Sequence, residues 1–482
     1  MAAILIFGAA SSVVAKLVGK GKEIPMFSAQ LAQRAAAGNP IRVGLIGAGK
    51  FGTMFLSQAQ RTLGQHVMII ADLNPGRARQ NLADTGWPAE KYGAASPAEA
   101  LSTGMTFVTE DADALIAADG LDVIIEATGD PDLGTRHALA AIEYGRSIIM
   151  ASVEADVLCG PLLAKKARDA GVVYSLAYGD QPALICEQVD WARTCGFEVV
   201  AAGKGTKYMP EYHASTPDTV WNYYGLTADH AEKSGMNPKM FNSFLDGTKS
   251  GIEMAAVANA TGLTPAPGGL VFPPCNVEEI ASTLIPGQAG GMLAHKGQVE
   301  VISSQERDGT DLEHDLRWGV YVTFEASSDY VERCFADYGL ITDASGRYSA
   351  LWRPCHLIGL ELGISVAWAA INNQPTGSPN GFRGDVVAVA KRDLAAGEIL
   401  DGEGGFTVWG QLMVASDSLL LGAVPIGLAN GLALNVGVEA GQVVNWSDVT
   451  LPEMKKHNSG YATRKEMEQL FSIDQSALET AE

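Results

Sequence analysis

From Ile41 to about Tyr178, short apolar runs alternate with stretches whose apolar positions recur every three or four residues. The runs "IRVGLIG", "HVMIIAD", "LDVIIEATG", "RSIIMAS" and "GVVYSLAYG" read as buried strands. Between them, "KFGTMFLSQAQRTL", "LGTRHALAAIEYG" and "PLLAKKARDAG" carry a helical period. Such alternation calls for a Rossmann-type α/β unit, a doubly wound parallel sheet with helices on both faces.

Beyond Gln181 the pattern changes. Strand runs ("FEVVAAG", "WGVYVTFEA"), a helix in "SGIEMAAVANATG" and Pro/Gly-rich loops such as "TPAPGGLVFPP" suit a mixed α+β domain. The turn-dense "INNQPTGSPNGFRG" marks its end near Gly384, and the Gly-punctuated remainder suits a small, mostly β unit. The expected division is an N-terminal extension (1–40), a nucleotide-binding domain (41–180), a catalytic or substrate domain (181–383), a mostly β domain (384–450) and a charged tail (451–482), helical or frayed. The opening "MAAILIFGAASS" lacks a leading positive charge and a cleavage site, so it does not read as a signal sequence, and either Met1 or Met26 serves as the natural start.

A chain of 482 residues needs more than one core. Lys plus Arg total 34 against 55 Asp plus Glu, a net charge of −21 that repels nucleic acid and anionic membrane surfaces. Small molecules and further copies of the chain are the expected partners, with a cytoplasmic location and a homo-oligomeric state. The six cysteines, without a CxxC pair, are read as reduced core residues.

Gly47, Gly49 and Gly52 satisfy GxGxxG between an apolar strand and an amphipathic helix that opens at Lys50 and Phe51. In that context the glycines allow a tight turn, the approach of a pyrophosphate and close packing of helix on strand. Twenty residues after Gly52, Asp72 ends the next strand, where an acid accepts ribose hydroxyls and favours NAD. Arg77 and Arg79 just beyond it would pair instead with the 2′-phosphate of NADP. NADP is the working cofactor and NAD the alternative. Ala127, Thr128 and Gly129 end the next strand beside the expected nicotinamide ribose, and Ser152 and Glu154 lie at the carboxyl edge of the one after. Ser152 and Glu154 could instead serve the start of a helix.

The stretches "VGLIGAGKFGTMFLSQ", "VIIEATGDP", "VEADVLCGPLL", "YSLAYGDQPAL", "AAGKGTKYMPEYHASTPDTVW" and "FLDGTKSGIEMAAVANATGL" together resemble the homoserine dehydrogenase superfamily. Over nearly the whole chain the resemblance is to the deoxyxylulose-phosphate reductoisomerase-like oxidoreductases. The C-terminal "VAVAKRDLAAGEIL" is similar to a SAF domain. Departures matter as well: Val153-Glu154 replaces the Asn-Lys pair of homoserine dehydrogenase, and "SGIEMAAV" puts Glu253 at the acid and Val257 where a lysine would fall. Plain homoserine oxidation is disfavoured. What the resemblance implies is an NAD(P)-dependent oxidoreductase on a small anionic hydroxy or keto substrate. Its leading candidate is reductive isomerisation of 1-deoxy-D-xylulose 5-phosphate, in isoprenoid precursor synthesis. The alternatives are a dehydrogenase of a sugar acid or polyol, and a non-catalytic nucleotide sensor that presents the SAF-like unit to a partner.

Candidate catalytic groups are Lys204 and Lys207 in "GKGTKY", which the resemblance puts at the mouth of the active site, and Lys249 in "DGTKSG". They would bind an anion and supply a proton. Asp246, Glu253 and Glu154, with Asp180 and Asp218, either hold a divalent metal (Mg or Mn) or pair with the lysines. His213 and His356 read as structural, and Trp221, Tyr223 and Tyr224 as packing residues.

Overall fold

A computed structural model describes residues 26–479, with side chains to 472. The opening segment, and with it the choice between Met1 and Met26, lies outside the described residues.

Six parallel strands form the first sheet: β1 (Ile41–Ile46), β2 (Gln65–Ala71), β3 (Phe107–Thr109), β4 (Val123–Glu126), β5 (Ser147–Met150) and β6 (Tyr174–Leu176). Their order is β3-β2-β1-β4-β5-β6, so the chain reverses direction across the sheet between β1 and β4. Ligands bind outside the carboxyl ends of strands at such a switch point. Both faces are apolar and covered: Leu45, Phe55 and Ile125 belong to one core, Ile46, Ile69 and Ile124 to the other. Asn74, Ser96 and Asp130 start helices by accepting backbone N–H groups with their side chains.

A second sheet runs β10-β9-β7-β8, built from β7 (Glu198–Thr206), β8 (Gln298–Ser303), β9 (Val320–Glu325) and β10 (Tyr348–Arg353). β7 pairs parallel with β8 and antiparallel with β9. The helices Gln181–Thr194 and Thr248–Thr261 pack against it. Helix 248–261 also contacts β11 (Gly384–Ala390) and β12 (Val408–Val414), an antiparallel pair. It is buried along most of its length, so one helix joins the middle of the chain to its C-terminal part.

The last helix, Ser459–Glu479, lies across the helices Pro131–Glu143 and Val153–Asp169 of the first sheet. Arg464 on it is 1% exposed, pairs with Asp385 of β11 and lies over the Phe382 ring. Of the tail read as helical or frayed, the stretch Ser459–Glu479 is a docked helix. Two expectations shift in detail: the helix expected over 50–63 ends at Ala59, and the "GVVYSLAYG" strand shortens to Tyr174–Leu176. Of the cysteines, Cys159 and Cys275 are buried as expected, whereas Cys195 and Cys355 are exposed. Among the described residues, no helix is long and apolar enough to cross a membrane.

Candidate active site

After β1 the chain turns through Gly47 at φ +94°, where a Cβ would lie 2.6 Å from the Ala127 carbonyl oxygen. A Cβ on Gly52 would lie 2.3 Å from the Gly47 oxygen, so helix and turn meet backbone to backbone. At Gly49 the same test finds nothing within 4 Å. Open space therefore faces the start of the Lys50–Ala59 helix, whose first amides have no partner inside the helix. A pyrophosphate fits that arrangement. Lys50 is exposed beside it, and Phe51 is half-buried against the core.

Asp72 holds the turn from the side. Its Oδ2 accepts the Ala48 N–H at 2.9 Å, and its Oδ1 accepts the Asn74 N–H at 2.8 Å and the Arg77 guanidinium at 3.1 Å. Across the switch point, Thr128 donates its N–H and hydroxyl to Glu126, and Gly129 donates its N–H to Ser152 Oγ at 2.8 Å. Ser152 thus braces the β4 loop and makes no side-chain cap bond to the helix that follows it.

Next to this edge lies a buried cluster of opposite charges. Asp180 caps the Gln181–Thr194 helix, accepting the Gln181 N–H at 2.9 Å. Lys204, in β7, donates to Gln181 Oε1 at 2.9 Å and ion-pairs with Glu253. Lys204 is 4% exposed and Glu253 3%, so the lysine sits deep in the site, not at its mouth. The alternation of side chains along β7 turns Lys204 toward helix 248–261, inward from the solvent rim. Lys249, one turn before Glu253 on the same helix face, ion-pairs with Glu154. A fourth carboxyl, Glu403, enters from the C-terminal part and accepts a hydrogen bond from Ser243.

Four carboxyls thus surround two ammonium groups. Burial and then Glu253 push Asp180 up to about 6. Burial and then Glu154 push Glu403 up to about 7. Burial opposes the charge on Lys249, but Glu154, Glu253, Glu403 and Asp180 hold it well above the ordinary lysine value. Such a site holds protons near neutral pH. A crevice of about 420 Å³ reaches it, lined by Gly129, Asp130, Lys239, Asp401 and Glu403 among others.

The remaining candidates lie elsewhere. Lys207 is half-buried and donates to the Tyr223 carbonyl at 2.7 Å; burial and then Arg317 lower its pKa. Its charged neighbours are Arg317 and Asp311, not the cluster. Asp246 is fully buried, accepts the Thr248 N–H at 2.9 Å and pairs with Lys391 at 2.8 Å. His213 is committed to Asp246 O and Tyr208 Oη, and His356 Nδ1 to Trp318 O. Asp218 is exposed. Among the described residues no three His, Cys, Asp or Glu side chains are grouped to hold a metal ion, and Glu253, Glu154 and Asp246 are each paired with a lysine. As arranged, these acids do not fit a divalent metal.

Sequence reasoning passed over Gln181 and Glu403. The only signal for Glu403 was its setting in "DGEGG", where glycines flank a single acid.

Residues 179–362 match the family model described as "Oxidoreductase DRL, catalytic domain". That segment contains Asp180, Gln181, Lys204, Lys249 and Glu253, and excludes Glu154 and Glu403. No curated protein matches the chain. Among solved structures, a probable dehydrogenase from Thermotoga maritima is 14% identical, with 70% of this chain and 90% of that one covered and a TM-score of 0.36. The 1-deoxy-D-xylulose 5-phosphate reductoisomerase from Zymomonas mobilis, in complex with NADPH, is 21% identical over 45% of this chain and 57% of that one, with a TM-score of 0.32. The myo-inositol dehydrogenase from Lactobacillus casei, in complex with NAD(H) and myo-inositol, is 15% identical over 38% and 50%, with a TM-score of 0.27. The chain spans about half the length of the first solved structures it matches, 45%, 50% and 48%.

Proposed function

We propose that the protein is an NAD(P)-dependent oxidoreductase that reduces or oxidises a small anionic hydroxy or keto compound. The observation that carries this reading is the adjacency of two sites. A glycine turn with room for a pyrophosphate lies at the switch point of the first sheet, and a buried lysine–carboxylate cluster lies beside the same sheet edge. The match of the segment 179–362 to an oxidoreductase family model supports it.

Gly47, Gly49, Gly52 and the first amides of helix 50–59 would hold the dinucleotide, with Asp72 and Arg77 at its ribose and Ala127, Thr128, Gly129 and Ser152 toward the nicotinamide. When bound, that group supplies or accepts a hydride. The chain's own contribution is electrostatic. Lys204 and Lys249, fixed by Gln181, Glu253 and Glu154, stabilise negative charge on a substrate oxygen in a site largely closed to water. Asp180, which burial and then Glu253 push up to about 6, adds a buried carboxyl beside the two lysines that can exchange a proton near neutral pH. Lys207 and Arg317 stand farther out as cations for an anionic substituent. By resemblance the leading substrate is 1-deoxy-D-xylulose 5-phosphate. The division into a nucleotide-binding part to about residue 180, a catalytic part to about 383 and a C-terminal unit belongs to the same reading, as do a cytoplasmic location and self-association.

The test is turnover. Purified protein with NADPH or NADH is given deoxyxylulose phosphate and a panel of keto acids and keto sugars, and nicotinamide absorbance is followed. Oxidation of the cofactor only when a carbonyl substrate is present is the expected result. Tight cofactor binding with no turnover on any substrate would instead favour a nucleotide-sensing protein.

A further inference from the structure

We infer that Glu403, carried by the C-terminal part and outside the segment that matches the oxidoreductase family model, is a catalytic proton donor and acceptor of this site. The inference rests on the reading above and names a residue that reading does not use.

The loop around Glu403 is fixed from three sides. Asn242 donates to Gly404 O at 3.1 Å, Lys391 to Gly405 O at 2.8 Å, and Lys239 to Asp401 O at 3.0 Å. Gly404 has φ +64°, and a Cβ on it would lie 2.0 Å from the Lys239 carbonyl oxygen. Only glycine lets the loop press this closely against the Pro238–Leu245 helix. The result is a single acid driven from a rigid turn toward the cluster. Ser243 orients its carboxyl by donating to Oε1.

Glu403 also faces open space. It lines the crevice of about 420 Å³ together with Gly129, the end of the loop expected to carry the nicotinamide. On its other side it lines a small void with Glu154, the partner of Lys249. It therefore stands between the ion-paired lysine and the space a substrate would enter. The charged groups that face it are Glu154, Lys249 and, behind them, Asp246, with Asp401 on its own loop and Lys239 at the crevice wall. Burial and then Glu154 keep a proton on its carboxyl up to about pH 7.

In the reducing direction a bound nicotinamide cofactor, as the proposed function has it, would supply hydride to the carbonyl carbon, leaving the C=O π pair on oxygen. Glu403 gives its O–H proton to that oxygen, and the carboxylate regains a proton from water through the crevice. In oxidation the same carboxylate takes the hydroxyl proton. Lys249 stabilises the charge at the intermediate stage.

Difference infrared spectroscopy of the full chain without cofactor, titrated from pH 5 to 9, tests the proton site directly. Protonated-carboxyl absorption titrating near pH 7 is expected to be smaller in Glu403→Gln than in the natural protein by the share of one carboxyl, with Asp156 and Glu300 supplying the remainder in both. An identical titration in both proteins overturns the inference. Kinetics add the second readout: E403Q should lower kcat by roughly 10²–10⁴-fold, lose the limb of the pH profile near 7 and leave cofactor affinity within about 2-fold. Unchanged kcat with an unchanged pH profile in a folded E403Q also overturns it. Removing the orienting hydroxyl with Ser243→Ala should shift that limb without abolishing activity, which a merely structural glutamate would not do. If that difference is present but the natural protein never oxidises the cofactor with any substrate, the proposed function falls and the proton site stands.

Discussion

Replacing Lys249 by Met removes one of the two cations from a cluster of four carboxyls while keeping most of the side chain's volume. The Lys249 and Glu154 side chains are 15% and 14% exposed, so the pair is largely shielded from water. Removing one partner of a fully buried pair costs about 3–5 kcal/mol, and the partial exposure places this one near the lower end, about 3 kcal/mol. The cost depends on pH. In the natural protein the Lys249 ammonium is held above its ordinary value, so its contribution is fully present below the unfolded lysine value and is lost only at strongly alkaline pH. In K249M the carboxyls around the vacated position are stranded and relieve themselves by binding protons. The folded variant then binds more protons than the unfolded chain, and its stability falls as pH rises. Urea unfolding at pH 5.5 and pH 8.5 measures this. The deficit of K249M should be larger at pH 8.5 by about 1.4 kcal/mol for each unit by which a stranded carboxyl is raised within the range from about pH 5.5 to 8.5. A deficit under about 1 kcal/mol that is equal at both pH values would show a solvated pair, and the picture of a closed charge cluster would be wrong.

Replacing Arg77 by Ala, which removes a cationic partner of Asp72, should weaken NADPH binding about 10-fold more than NADH binding, as isothermal titration would show; equal losses would mean that Arg77 does not select the cofactor. Arg464→Ala should cost about 3–5 kcal/mol, because it strands Asp385 between the last helix and β11. The Asp385 carboxyl is held below its ordinary value despite its burial, chiefly by Arg464, so this contribution is present above the unfolded carboxyl value and is lost as pH falls through the folded one. Denaturant unfolding at pH 7 and at pH 3 should show the R464A deficit shrinking at the lower pH.

The first sheet was legible because its strands are buried on both sides and therefore appear as unbroken apolar runs. The GxGxxG turn sits between two of them, where only backbone fits around Gly47 and Gly52. β3, with three residues, is too short to leave a periodic signal. The lysines and acids were legible as residue types that could pair, but not which would pair with which. Lys204 and Glu253 are 49 positions apart, and Lys249 and Glu154 are 95 apart; nothing local records that a strand end and a helix face bring them together. Lys207 shows the converse, closeness in sequence without closeness in space. Only three positions from Lys204, it follows the end of β7 and bonds to the Tyr223 carbonyl instead. Glu403 was hidden because its role depends on the C-terminal part folding back over helix 248–261.

Cofactor binding depends first on the open space at Gly49. Titration of NADPH and NADH into the natural chain and into Gly49→Val, followed by nicotinamide fluorescence and thermal melting, tests it. A Cβ at Gly49 has nothing within 4 Å of it in the protein itself, so G49V should melt within about 1–2 °C of the natural chain yet bind the better cofactor at least 10-fold more weakly. Saturable binding of equal strength in both proteins, or none in the natural chain at millimolar cofactor, would contradict the account.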